Sequence, residues 1–172
     1  MVSPRTALER LRDGNRRFVS GVRRRDPFES QARRKELEIV FDQDVGDLFV
    51  IRVAGNIVAS SQVGSVGHTG CGAVQATLEE IQRPTENQSR NLRSIVDRIR
   101  PSVQVLLATE IKHDPDAMMR EAVRANIRAS GNHLKHGSEI LERLIESREL
   151  VVVGAEYSLE TGVVEFLDAP PA

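Results

Sequence analysis

The stretch Asp47-Leu48-Phe49-Val50-Ile51-Arg52-Val53 has apolar residues in one unbroken run rather than at every second position. A strand wetted on one face alternates, whereas a strand covered on both faces reads as a continuous apolar run. Such a strand needs a layer on each side, as in a parallel sheet. Leu150-Val151-Val152-Val153-Gly154 reads as a second buried strand, and Gly162-Val163-Val164-Glu165-Phe166 as a third after a turn. Ala54-Gly55-Asn56 breaks the first strand.

The rest of the pattern is helical. Ser3-Pro4 has the form of a helix cap followed by proline in the first turn. Leu8, Leu11 and Phe18 then make a narrow apolar stripe that passes through Asn15, and Gly21 closes the helix. Asp26-Pro27 opens a second helix, rich in Arg and Lys, through Leu37. These two helices form an arm over 1–37. A narrow stripe is compatible with packing on a partner subunit and with packing on the arm's own domain.

Further helices are expected from Gly72 to a stop at Pro84, and from Leu92 to an end at Pro101, after a polar loop over Thr85–Gln88. A long helix starts at Asp114-Pro115 and ends or bends at Gly131. Ser138 caps another, with Ile140, Leu141, Leu144 and Ile145 inward. The Pro170-Pro171 tail reads as disordered. Strands alternating with helices give an α/β fold. The 172 residues fit one domain, with the core over 39–172. Three strands make a thin sheet for this much helix.

Composition narrows the partners. Net charge is −1, so no basic field draws the chain to nucleic acid or to an anionic membrane. No apolar run approaches the ~20 residues that span a bilayer, and no signal-peptide segment is evident. With one cysteine, Cys71, there is no intrachain disulfide, which fits a reducing, cytoplasmic setting. There is no Gly-x-Gly-x-x-Gly after a strand and no phosphate loop with lysine, which argues against nucleotide binding.

The chemistry concentrates in Gly67-His68-Thr69-Gly70-Cys71-Gly72. Imidazole and thiolate are both good zinc ligands. The glycines let the backbone turn tightly, and a thiolate at a helix N-terminus is favoured by the dipole. Taken alone, the same residues describe a glycine-rich turn holding a buried thiol. His113, His133 and His136 read as solvated positions in or near helices.

The run Ile39 to Asn56, the segment Gly67 to Val74, and Val153-Gly154-Ala155-Glu156-Tyr157 with Thr161-Gly162 closely resemble the β-class carbonic anhydrases, in that family's order. The resemblance implies a parallel-sheet core flanked by helices, with an N-terminal helical arm. It implies zinc chemistry that reversibly hydrates carbon dioxide to bicarbonate and a proton. It also implies a homodimer or larger homo-oligomer.

His68 and Cys71 would be metal ligands, and Phe49 and Ala54 would line the carbon dioxide pocket. The family's other half-site is Cys-x-Asp-x-Arg, which supplies a cysteine ligand and an Asp–Arg pair. That motif is absent here. A second strand-bearing block is also missing before Gly67, so the sheet is expected to lack two central strands. Zinc would then be held weakly or not at all, and this zinc lyase would be impaired or inactive. A non-catalytic homologue acting as scaffold or subunit is the alternative. Asp42, Asp44 and Asp47 could supply oxygen donors, although loop capping is the commoner use of such residues.

Overall fold

The computed structural model describes residues 3–22, 40–42, 50–53, 56–59, 64–84 and 89–167. The expected helix over Asp26–Leu37, the loop Thr85–Gln88 and the Pro170-Pro171 tail lie outside the described residues.

Helix α1 spans Pro4–Ser20. The Ser3 side chain accepts from the Thr6 amide, and Gly21 closes the helix at φ 73°, a left-handed conformation that suits glycine. Leu8 is buried, and so is Asn15. Asn15 donates from Nδ2 to the carbonyls of Val40 (3.2 Å) and Gly162 (2.9 Å), and its Oδ1 accepts from the Val164 amide at 2.9 Å. One side-chain amide thus ties α1 to two distant parts of the same chain, so this helix packs on its own domain. Arg17 adds an ion pair from Nε to Asp42 Oδ2 at 2.6 Å.

The sheet has five strands in the order β1 (Val50–Val53), β2 (Asn56–Ala59), β3 (Gly64–His68), β4 (Val153–Tyr157), β5 (Val164–Phe166). The expected parallel core is corrected to a mixed sheet: β3 and β4 are parallel, and the other three pairings are antiparallel. The cause is connection length. Val53 pairs with Asn56, and a link that short permits only an antiparallel return. After Val53 the chain therefore returns as a new strand, β2, instead of leaving the sheet. Gly64–His68, which runs into the motif, forms the next strand, β3. The long helical crossover between β3 and β4 is what permits their parallel pairing.

The covering helices are α2 (Gly72–Gln82), α3 (Arg90–Val103), α4 (Pro115–His136) and α5 (Glu139–Glu146). Cys71, Val74, Leu78, Ile99, Val103, Met118, Ala122, Val123 and Ile127 form one buried cluster. Val40, Phe41, Val66, Ala155, Tyr157 and Val164 form another, closed by Leu11, Phe18 and Phe166.

Three helix expectations need correction. α3 does not end at Pro101 but runs to Val103 before tightening into 3-10 turns over Gln104–Ala108 and Glu110–His113. A proline this close to the end forfeits little of the helical ladder. α4 passes through Gly131 to His136, because packing of its apolar face outweighs the weak propensity of one glycine. Ile140 is 71% exposed rather than inward, and Leu141, Leu144 and Ile145 are only partly covered. β4 also starts at Val153, later than its apolar run, although Leu150 and Val152 are buried.

Two substitutions test this packing. Asn15→Ala would strand a buried amide and two carbonyls, at about 1–3 kcal/mol for a buried group left unpaired, and should lower the urea midpoint clearly. At Gly131 an added Cβ meets nothing within 4 Å. Gly131→Ala should therefore raise the midpoint, by about 0.5–1 kcal/mol of stability.

Candidate metal centre

His68 is the last residue of β3, Thr69-Gly70 form the turn, and Cys71 caps α2. Gly70 sits at φ 65°, which allows the chain to turn from strand into helix within two residues. The turn is fastened to the end of β4: the Thr69 amide donates to the Tyr157 carbonyl (3.0 Å), and Thr69 Oγ1 accepts from the Leu159 amide (3.1 Å). Upstream, a Cβ at Gly67 would stand 2.7 Å from the Ile127 side chain, so only glycine lets α4 lie this close to β3.

The structure brings His68 and Cys71 together. His68 Nδ1 lies 2.9 Å from the Thr69 carbonyl. A carbonyl only accepts, so Nδ1 carries the proton in this contact. Cys71 is 3% exposed. Burial pushes its thiol up, but the hydrogen bond with His68, the nearby Val74 and Ala73 amides and the charge of a protonated His68 together pull it below its ordinary value. Those amides favour the thiolate without closing a regular cap hydrogen bond.

The other candidates do not join this pair. Asp42 is engaged by Arg17. His113, His133 and His136 are exposed. Phe49, Ala54, Asp44 and Asp47 lie outside the described residues. Among the described residues no group of three or more His, Cys, Asp or Glu is placed to hold a metal. A feature without a sequence signal is the ion pair of buried Glu156 on β4, whose Oε2 accepts from Arg124 Nε at 2.9 Å. Arg124 also reaches Glu165 on β5, and its guanidinium is held above its usual range by the Glu156 hydrogen bond.

A carbonic anhydrase family model matches residues 60–164, more than half of the chain. This chain belongs to the β-carbonic anhydrase family. It is 30% identical to carbonic anhydrase 2 of Mycobacterium tuberculosis over 195 residues, covering 93% of this chain and 91% of the relative. It is 28% identical to a carbonic anhydrase of Mycolicibacterium smegmatis, covering 95% and 93%. In fold it is similar to the β-carbonic anhydrase CcaA (TM-score 0.64, 22% identity, 80% of this chain and 76% of that one). It is also similar to a tetrameric β-carbonic anhydrase of Sordaria macrospora (TM-score 0.53, 18% identity, 64% and 54%). The alignment of 195 residues exceeds the roughly 160 that 93% of 172 represents, so about 35 aligned positions have no counterpart here.

The donor set can be tested against the family's metal. Zinc takes four protein donors, or three and a water. This chain offers the right types in His68 and Cys71, but its sequence contains no second cysteine and no Cys-x-Asp-x-Arg. Two donors do not fit a catalytic zinc.

Ionisation of Cys71 provides a test of the pair. His68→Ala removes a hydrogen bond and a charge that favour the thiolate, so the thiol should titrate at higher pH, read by thiolate ultraviolet absorbance. The sign for stability follows from a folded-state pKa below the unfolded one. The contribution is absent at pH below the folded value, grows as pH rises through it, and is complete above the unfolded value of about 8.5. This pH dependence should flatten in His68→Ala.

Proposed function

We propose that this chain is a carbonic anhydrase homologue that keeps the family scaffold and the His-x-x-Cys half-site without turning over carbon dioxide on its own. Hydration of carbon dioxide is the family's reaction. The observation that carries the reading is the donor count: one imidazole and one thiolate meet at the β3–α2 turn, with no third donor beside them among the described residues. A catalytic zinc must stay bound while it lowers the pKa of its water to about 7, which requires three protein ligands and their supporting hydrogen bonds. In the half-site the Thr69 carbonyl gives His68 such a support.

The turn does not need a metal to hold its shape. Thr69 is pinned to β4 through its backbone and its hydroxyl, and Cys71 is packed in the helical core. A scaffold role in a homo-oligomer follows from the same reading, supported by the tetrameric Sordaria macrospora relative in the fold comparison. A cytoplasmic location is part of the proposal, supported by the single free cysteine; no helix among the described residues is long and apolar enough to cross a membrane.

The enzyme reading has one observation in its favour, that the two retained donors are correctly typed and adjacent. Metal analysis and stopped-flow hydration separate the two. The purified chain should carry well under one zinc per protomer and show a hydration rate close to the uncatalysed one. Cys71→Ala should leave that rate unchanged. Stoichiometric zinc with turnover that Cys71→Ala abolishes would establish an enzyme whose remaining ligands come from other positions or from a partner.

A further inference from the structure

A cavity of about 190 Å³ opens beside the Thr69-Gly70 turn. One face of α4 supplies Asp116, Met119, Arg120 and Val123, and Glu156 closes it from β4. The cavity falls below the ~300–1,000 Å³ of pockets for drug-sized ligands, so its occupant must be small.

The polar groups around it are only partly satisfied. The Glu156 side chain is 7% exposed, and its Oε2 is taken by Arg124. Its Oε1 accepts from no donor among the described residues. A buried carboxylate oxygen left without a donor is costly, so the site favours an occupant that brings an N–H. One turn before Arg124 on α4, Arg120 is exposed and makes no hydrogen bond or ion pair among the described residues. The Asp116 carboxylate, at the same end, is likewise unengaged.

Charge then restricts the ligand. A simple anion would suit Arg120 but meet the carboxylates of Glu156 and Asp116. A simple cation would suit the carboxylates but meet Arg120. A small molecule that carries both charges satisfies both sets, and Met119 and Val123 offer an apolar wall for a small substituent.

We propose that this cavity binds a small α-amino acid as its zwitterion, the ammonium donating to Glu156 and the carboxylate resting on Arg120. Glycine and alanine fit the size. The assignment is independent of zinc, because none of these side chains is a candidate ligand in the half-site.

The test uses the full chain after chelator treatment. Alanine, acetate and methylammonium are titrated by calorimetry and by amide NMR shifts. Alanine should bind saturably, shift the Thr69 and Gly70 amides, and bind at least tenfold more tightly than acetate or methylammonium. Arg120→Gln should weaken alanine at least tenfold with an unchanged thermal melt, which this exposed position permits. Lack of saturation by alanine, a preference under tenfold over either single-charge probe, or full alanine affinity in Arg120→Gln would overturn the proposal.

Discussion

The contact between Gly67 and Ile127 sets the spacing between sheet and helical layer, because the Ile127 side chain occupies the space that a Cβ at position 67 would need. That close approach lays α4 against β3 and β4 and places Val123 and Ile127 in the core that also buries Cys71. The strand end at His68 and the helix start at Cys71 are therefore fixed by packing before any ligand is considered. Close-packed interiors resist even one added carbon, so the constraint is local and strict.

The remaining parts of the half-site follow from that spacing. β3 and β4 are in parallel register, with His68 opposite Tyr157, so the turn after His68 emerges beside the end of β4. Thr69 uses this proximity twice, once through its amide and once through its hydroxyl. The carbonyl of the same residue then orients the His68 ring. Such second-layer hydrogen bonds normally aim a ligand at its metal. Here the same histidine also hydrogen-bonds the Cys71 side chain and helps hold its thiol below the ordinary value. The half-site is thus held together by packing and hydrogen bonds among the chain's own residues.

What was legible in the sequence was local. Ser3-Pro4, Gly21 and Asp114-Pro115 mark helix ends through capping chemistry, and all three act as caps in the fold. His68 and Cys71 were legible as a pair because three residues with glycine between them can hardly avoid meeting. The β1–β2 hairpin was not legible, since Ala54-Gly55-Asn56 reads equally as a break or as a reversal, and only pairing with β3 decides. Glu156 and Arg124 were illegible for a related reason. They are 32 residues apart, and neither carries a local pattern.

Asn15 shows how the same limit can hide a structural determinant in plain view. It stands in the apolar stripe of α1, where a polar residue would ordinarily weaken the case for burial. Yet its amide has both a donor and an acceptor end, and the fold presents two carbonyls and one amide within reach of it. A leucine there would add apolar contact but leave those backbone groups unpaired in the interior, a loss that hydrophobic gain at one position does not reliably offset. Gly162 completes the arrangement: it sits at φ 77°, and a Cβ there would come within 2.8 Å of the Phe18 ring. The amino-terminal helix is therefore held by a matched polar contact and a steric vacancy, both written at single residues, while its apolar stripe supplies only the general attraction.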